Sequence, residues 1–92
     1  MTDILNRRFA PSDDAAESAV GDETVILHLA NGTYYGLDPV GTLVWSMLKE
    51  RQAPAAICCR IANDFEMDLP TVEADIRRFL SDLAAQDIII DA

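Results

Sequence analysis

From Thr24 to Leu29 the chain reads Thr-Val-Ile-Leu-His-Leu, a β-rich run whose side chains divide between two faces with period two. Asn31-Gly32 follows, the pair best suited to the positive φ angles of a two-residue type I′ turn, and Thr33 to Leu37 makes the return strand. This turn pairs Ala30 with Thr33, Leu29 with Tyr34, His28 with Tyr35, Leu27 with Gly36 and Ile26 with Leu37. Val25, Leu27, Leu29 and Tyr34 then share one face, which we read as the core face. Ile26, His28, Thr33, Tyr35 and Leu37 share the other, and it is too apolar for an ordinary solvent face. A weaker strand over Ala16, Ser18 and Val20 precedes the hairpin, with Gly21-Asp22 as its turn.

After Asp38 the period changes to 3.6. Asp38 is placed to cap a helix that opens with Pro39, where the missing N–H costs nothing. That helix spans Pro39 to Lys49, with Val40, Leu43, Val44, Met47 and Leu48 as its apolar stripe and Trp45 beside it. A second helix starts near Pro54 and presents Ile57, Cys58, Ile61, Ala62 and Phe65. A third begins at Pro70 and buries Val72, Ile76, Phe79, Leu80 and Leu83, supported by Glu73→Arg77 and Asp75→Arg78 pairs. Ile88-Ile89-Ile90 is β-branched and too short for a helix, so it reads as a terminal strand or an extended segment packed on the core. Residues 1–15 read as a flexible, irregular segment and 16–92 as a single domain. A three-stranded antiparallel sheet followed by three helices is the parts list of a small winged-helix-turn-helix-like α+β domain.

Composition narrows the function. Seven Lys/Arg against sixteen Asp/Glu give a net charge of −9, which opposes binding to nucleic acid or to anionic membranes. Met1 to Ala10 holds no apolar run of the signal-peptide kind, and no segment has the length of a membrane span, so the cytoplasm is the expected compartment. Cys58 and Cys59 are adjacent, which disfavours an ordinary disulfide between them; inside a helical pattern they read as small hydrophobes. His28 is the only histidine, and no zinc-type spacing, phosphate loop or nucleophile–base pair accompanies it. Glu73, Asp75 and Asp82 read as a solvated helix face or as contacts to a peptide partner. No enzyme, metal or cofactor is expected, and binding is.

The strand Thr33 to Leu37 has the preceding strand on one side and an open edge on the other if the first strand pairs elsewhere. Such an edge can accept an extended peptide as an additional strand. The alternative is that Tyr34 and Tyr35 only pack the hairpin.

The ordered set Val25-Ile26-Leu27-His28-Leu29, Asn31-Gly32-Thr33-Tyr34-Tyr35-Gly36-Leu37-Asp38, Gly41 with Val44-Trp45, Ala55-Ala56-Ile57, Val72-Glu73-Ala74-Asp75-Ile76, Phe79-Leu80, Leu83 and Ile88-Ile89 resembles the PqqD-like family, the RiPP recognition elements. The resemblance covers about Ala16 to Ile90. Two departures stand out: Asp38 where the family has Asn, and Gln86-Asp87 where it has a Gly ending the last helix. The resemblance implies a non-catalytic domain that binds the leader region of a ribosomally made precursor peptide as a strand. It places that peptide beside Thr33, Tyr34 and Tyr35 and against Val72, Asp75, Ile76, Arg78, Phe79 and Asp82 of the third helix. Arg77 or Arg78 would meet acidic leader side chains. Implied partners are the leader and a processing enzyme, such as a leader-cleaving cysteine protease. The Tyr34-Tyr35-Gly36-Leu37 stretch is more similar to the lasso-peptide type, with the pyrroloquinoline-quinone type next. The rival reading is a winged-helix DNA-binding regulator, which needs a basic recognition helix; the third helix offers two arginines against three acids.

Overall fold

The computed structural model describes residues 3–91. Strands β1 (Phe9–Pro11), β2 (Ala15–Val20), β3 (Glu23–His28) and β4 (Tyr34–Leu37) precede helices α1 (Pro39–Lys49), α2 (Pro54–Asp64) and α3 (Leu69–Ala85), and β5 (Ile89–Asp91) closes the chain. β2, β3 and β4 form one antiparallel sheet in that order, while β1 pairs with β5 in a second, two-stranded one. The molecule is therefore α+β with three helices and two separate antiparallel strand groups.

The irregular start expected of residues 1–15 gives way to structure. Ile4–Asn6 make one 3-10 turn, and β1 follows, with Leu5, Phe9 and Ala10 buried. These buried side chains lacked a recognisable period, because their partners are distant in sequence: β1 pairs with β5 about eighty residues away, and the 3-10 turn packs on α2 and α3. Met1, Thr2 and Ala92 lie outside the described residues. β2 turns into β3 through Gly21, whose φ of +63° meets the steric demand of the turn.

The β3–β4 hairpin departs from the expected two-residue turn. His28 N–H donates to Thr33 O at 2.8 Å, so Leu29 to Gly32 form a four-residue loop. Within it Gly32 N–H donates to His28 O, and Thr33 N–H donates to Asn31 Oδ1 at 2.9 Å. Asn31 thus makes a side-chain turn of its own. The register slides by two, pairing Leu27 with Tyr34 and Ile26 with Tyr35. An even slide keeps each face's membership intact, but the core face is the opposite of the expected one. Thr24, Ile26, His28 and Leu37 are buried, whereas Leu29 and Tyr34 lie in solvent.

That inner face packs on the helices. α1 begins as its sequence dictates: Asp38 is extended and its carboxylate accepts from Gly41 N–H at 2.7 Å. Val44, Trp45 and Leu48 of α1, Ile57, Cys58 and Ile61 of α2, and Val72, Leu80 and Leu83 of α3 fill the core with Ile26 and Leu37. Four expectations on the helices need correction. α3 starts one residue earlier, at Leu69. Phe65 lies beyond the end of α2 and is exposed. Arg77 does not support α3 through Glu73: it forms a two-pronged pair with Asp3, Nη2 to Oδ2 at 2.8 Å, tying the N-terminal turn to the helix. No ion pair joins Asp75 to Arg78 among the described residues.

Candidate functional site

β4 is an edge strand, and its hydrogen-bonding pattern defines what it offers. His28 bonds Thr33, and antiparallel ladders alternate bonded and non-bonded pairs. Tyr35 opposite Ile26 and Leu37 opposite Thr24 therefore turn their backbone groups toward β3. Tyr34 and Gly36 turn theirs outward. The bond from Leu29 N–H to Asp14 O on the β2 side has the phase this alternation requires. The open edge thus presents two N–H donors and two carbonyls at strand spacing.

Beside that edge lies an open groove of about 530 Å³. β4 supplies one wall through Tyr35, Gly36 and Leu37, and α3 supplies the other through Val72, Asp75, Ile76, Arg78, Phe79 and Asp82. The start of α1 forms the floor with Val40, Gly41 and Val44. Gly41 sits tightly there: a Cβ would lie 3.2 Å from Asp38 Oδ1, 3.4 Å from Leu37 Cβ and 3.6 Å from the Phe79 ring, so a larger residue would press on the cap carboxylate. Its missing side chain lets the cap, the strand and the ring meet.

Seven of the nine residues singled out in the sequence line this groove: Tyr35, Val72, Asp75, Ile76, Arg78, Phe79 and Asp82. Thr33 and Tyr34 do not. Thr33 closes the hairpin loop, and the Tyr34 side chain stands on the outer sheet face, 70% exposed. Sequence reasoning missed Leu37, Gly41, Val44 and Met67. A signal for Leu37 and Val44 existed in the apolar second face of the hairpin and the stripe of α1; Met67 sits in a turn where periodicity says nothing.

The groove is apolar at its base and charged along its α3 rim. Burial, and then the negative charge of Asp82, push the Tyr35 hydroxyl above the usual phenol range, so it stays protonated and able to donate. Cys58 is buried, its thiol pushed up to about 11 chiefly by burial, so it is not a nucleophile at neutral pH. Cys59, expected to share that environment, is exposed. His28 is buried with Nδ1 unpartnered, and its strand neighbours are Ala15 and Thr33, not Tyr35. No cluster of metal-ligating side chains occurs among the described residues.

Two solved structures superpose closely. One is described as "TbiB1 in Complex with the TbiA(beta) Leader Peptide"; it shares 42% identity and a TM-score of 0.82, covering 87% of this chain and 93% of that one. The other, "Lasso peptide synthetase B1 complexed with the leader peptide", shares 18% identity with a TM-score of 0.82, covering 89% and 96%, and speaks for the fold. No curated protein sequence matches the chain. The family model for coenzyme PQQ synthesis protein D (PqqD) matches residues 23–89, which hold the sheet's β3 and β4, all three helices and the start of β5. The chain belongs to the PqqD family.

Proposed function

We propose that this domain is a non-catalytic recognition element of lasso peptide biosynthesis that binds the leader region of a ribosomally made precursor. The leader adds as a strand beside β4 and lies in the groove against α3. One observation carries this reading: an open edge and an apolar groove lie on the same strand, β4, where Tyr34 and Gly36 offer backbone groups and Tyr35 to Leu37 line the groove. Strand addition needs both, because backbone bonds supply affinity and pockets for alternate side chains supply selectivity. The 42% identical relative, solved with a leader peptide, supports the class of ligand.

In this reading the outward backbone groups of Tyr34 and Gly36 form the ladder. Val72, Ile76 and Phe79 receive apolar leader side chains. Asp75, Arg78 and Asp82 meet charged ones, with Arg78 the arginine that faces an acidic residue, since Arg77 is held by Asp3. The domain then delivers the leader to a processing enzyme in the cytoplasm, a leader-cleaving cysteine protease. The finer fold description we favour is winged-helix-like, with β2–β4 as the wing on α1–α3. No helix among the described residues is long and apolar enough to cross a membrane.

Strand addition over a few residues with one or two filled pockets corresponds to a Kd between about 1 μM and 1 nM. Tyr34 opens β4, where proline is tolerated, and its N–H points outward. With labelled TbiA(beta) leader peptide as probe, Tyr34→Ala should bind within a few-fold of the native protein. Tyr34→Pro should keep the fold and lose most of the binding, because it removes one ladder donor. Equal affinity of the two variants would contradict strand addition.

A further inference from the structure

Peptide binding at β4 makes no use of the chemistry of the Asn31-Gly32 pair. A carboxamide followed by glycine is the arrangement in which a backbone amide most easily attacks the side chain before it, because no Cβ hinders the approach. Asn6 and Asn63, the other two asparagines, precede Arg7 and Asp64, and Asn63 is fixed inside α2. Asn31 and Gly32 instead lie in the exposed β3–β4 loop. Apart from the adjoining residues, no atom comes within 4 Å of the position a Gly32 Cβ would take. Water and hydroxide therefore reach the pair.

The closed loop nevertheless holds both reacting groups. Gly32 N–H donates to His28 O at 2.8 Å, which keeps the proton on the nitrogen that must lose it. Asn31 Oδ1 accepts from Thr33 N–H at 2.9 Å, which fixes the carboxamide. A third bond, from His28 N–H to Thr33 O at 2.8 Å, closes the end of the hairpin. All three bonds end on His28 or Thr33, so fraying of this end releases them as a unit.

We propose that Asn31 is a site of spontaneous deamidation and isomerisation, gated by the opening of this hairpin end. In the opened loop hydroxide takes the Gly32 amide proton, and the nitrogen lone pair attacks Asn31 Cγ. The new C–N bond closes a succinimide ring. The Cγ–Nδ2 bond breaks, and Nδ2 leaves as ammonia with a proton from water, which restores the hydroxide. Water then opens the ring at one of two carbonyls. Attack at Cγ leaves an aspartate, which keeps an oxygen for Thr33 N–H. Attack at the backbone carbonyl leaves an isoaspartate, whose chain runs through Cβ and Cγ. That detour adds one carbon to the backbone and draws Gly32 away from His28 O, which unfastens the start of β4.

Ageing the protein in two states tests the site and its gate. Native and urea-unfolded samples stand in the same mildly alkaline buffer, and mass spectrometry with electron-transfer fragmentation scores aspartate and isoaspartate at each asparagine. Conversion should be confined to Asn31. Gly32→Ala, read in urea where folding plays no part, should slow it severalfold. The hydrogen-exchange protection factor of the Gly32 amide measures independently how often the loop opens. Native conversion should be slower than unfolded conversion by that factor, within a few-fold. Conversion as fast in the native protein as in urea, or a clear mismatch with the protection factor, would overturn the gate. Earlier conversion at Asn6 or Asn63, or no effect of Gly32→Ala, would overturn the site. The isoaspartate form, separated by ion exchange, should melt below both the native protein and Asn31→Asp. Equal melting of all three would contradict the unfastening of β4.

Discussion

Two pairs of neighbouring residues show how the fold assigns different tasks to identical side chains. Tyr34 and Tyr35 face opposite sides of the sheet: one is solvated and offers its backbone, the other lines the groove. Cys58 and Cys59 are likewise parted by the helical turn, one in the core and one in solvent. Iodoacetamide near pH 8 should therefore alkylate Cys59 alone in the folded protein, and both thiols after denaturation; mass spectrometry of native and unfolded samples reads this directly. Prompt double labelling of the native protein would show that Cys58 is accessible. Linkage adds a pH dependence. The folded Cys58 thiol titrates near 11 and the unfolded one near 9, so the unfolded state loses its proton first and stability falls across that interval. Asp3 behaves oppositely. Its hydrogen bonds with Arg77 lower its pKa from 3.8, so its contribution is present above that value and fades as the pH falls through the lowered one. Urea midpoints measured along both limbs should decline in these two directions, and a flat alkaline limb would contradict the burial of Cys58.

All three helices end in the same way, on a residue with positive φ that is not glycine: Arg51 at 62°, Glu66 at 51° and Asp87 at 57°. In each case the next residue's N–H reaches back into the last turn, as Ile88 does to Leu83 O at 2.9 Å. A left-handed L-residue costs about 1–2 kcal/mol, of which glycine's greater unfolded-state freedom takes back part. Arg51→Gly and Glu66→Gly should each stabilise the protein by about 0.5–1 kcal/mol, and Asp87→Gly by less, because aspartate tolerates this conformation better. Thermal melts check the order, and a loss of stability in all three would contradict it. The helix end at Asp87 was indicated only by the resemblance, which puts Gln86-Asp87 where the family has a Gly, whereas α1 was legible to the residue because a cap, a proline and an apolar stripe agree. The hairpin was not. Asn31-Gly32 is the strongest short-loop signal available, yet the Asn31 side chain bonds Thr33 and the loop lengthens to four residues. Which face of β3 is buried was also beyond local pattern, since Val25 and Leu27 are as apolar as Ile26 and only the helices decide between them.

At the scale of the whole molecule, what the sequence conceals is non-local. β1 and β5 join the two ends of the described chain, and the Asp3–Arg77 pair bridges 74 residues, leaving no periodic trace. The groove residues on α3 came from the family resemblance; periodicity alone marked Val72, Ile76 and Phe79 as a buried stripe. The floor at Gly41 needed the chain to fold back on itself. The charge of −9 is a property of the whole, and it predicts that duplex DNA gives no gel shift at about 0.15 M salt, since few phosphates find a cation to neutralise. A sequence-specific shift under those conditions would favour a regulator instead. The central claim concerns two amides. Hydrogen exchange followed residue by residue, with and without bound leader peptide, reports directly on the outer edge of β4. Strand addition predicts that the Tyr34 and Gly36 amides exchange freely in the unbound protein and become protected on binding, with shift changes clustered at 33–37 and 72–82. Tyr35 and Leu37, already bonded to β3, should gain little. Unaltered exchange at Tyr34 and Gly36 in a saturated complex, with the changes mapping to α2, would contradict the account.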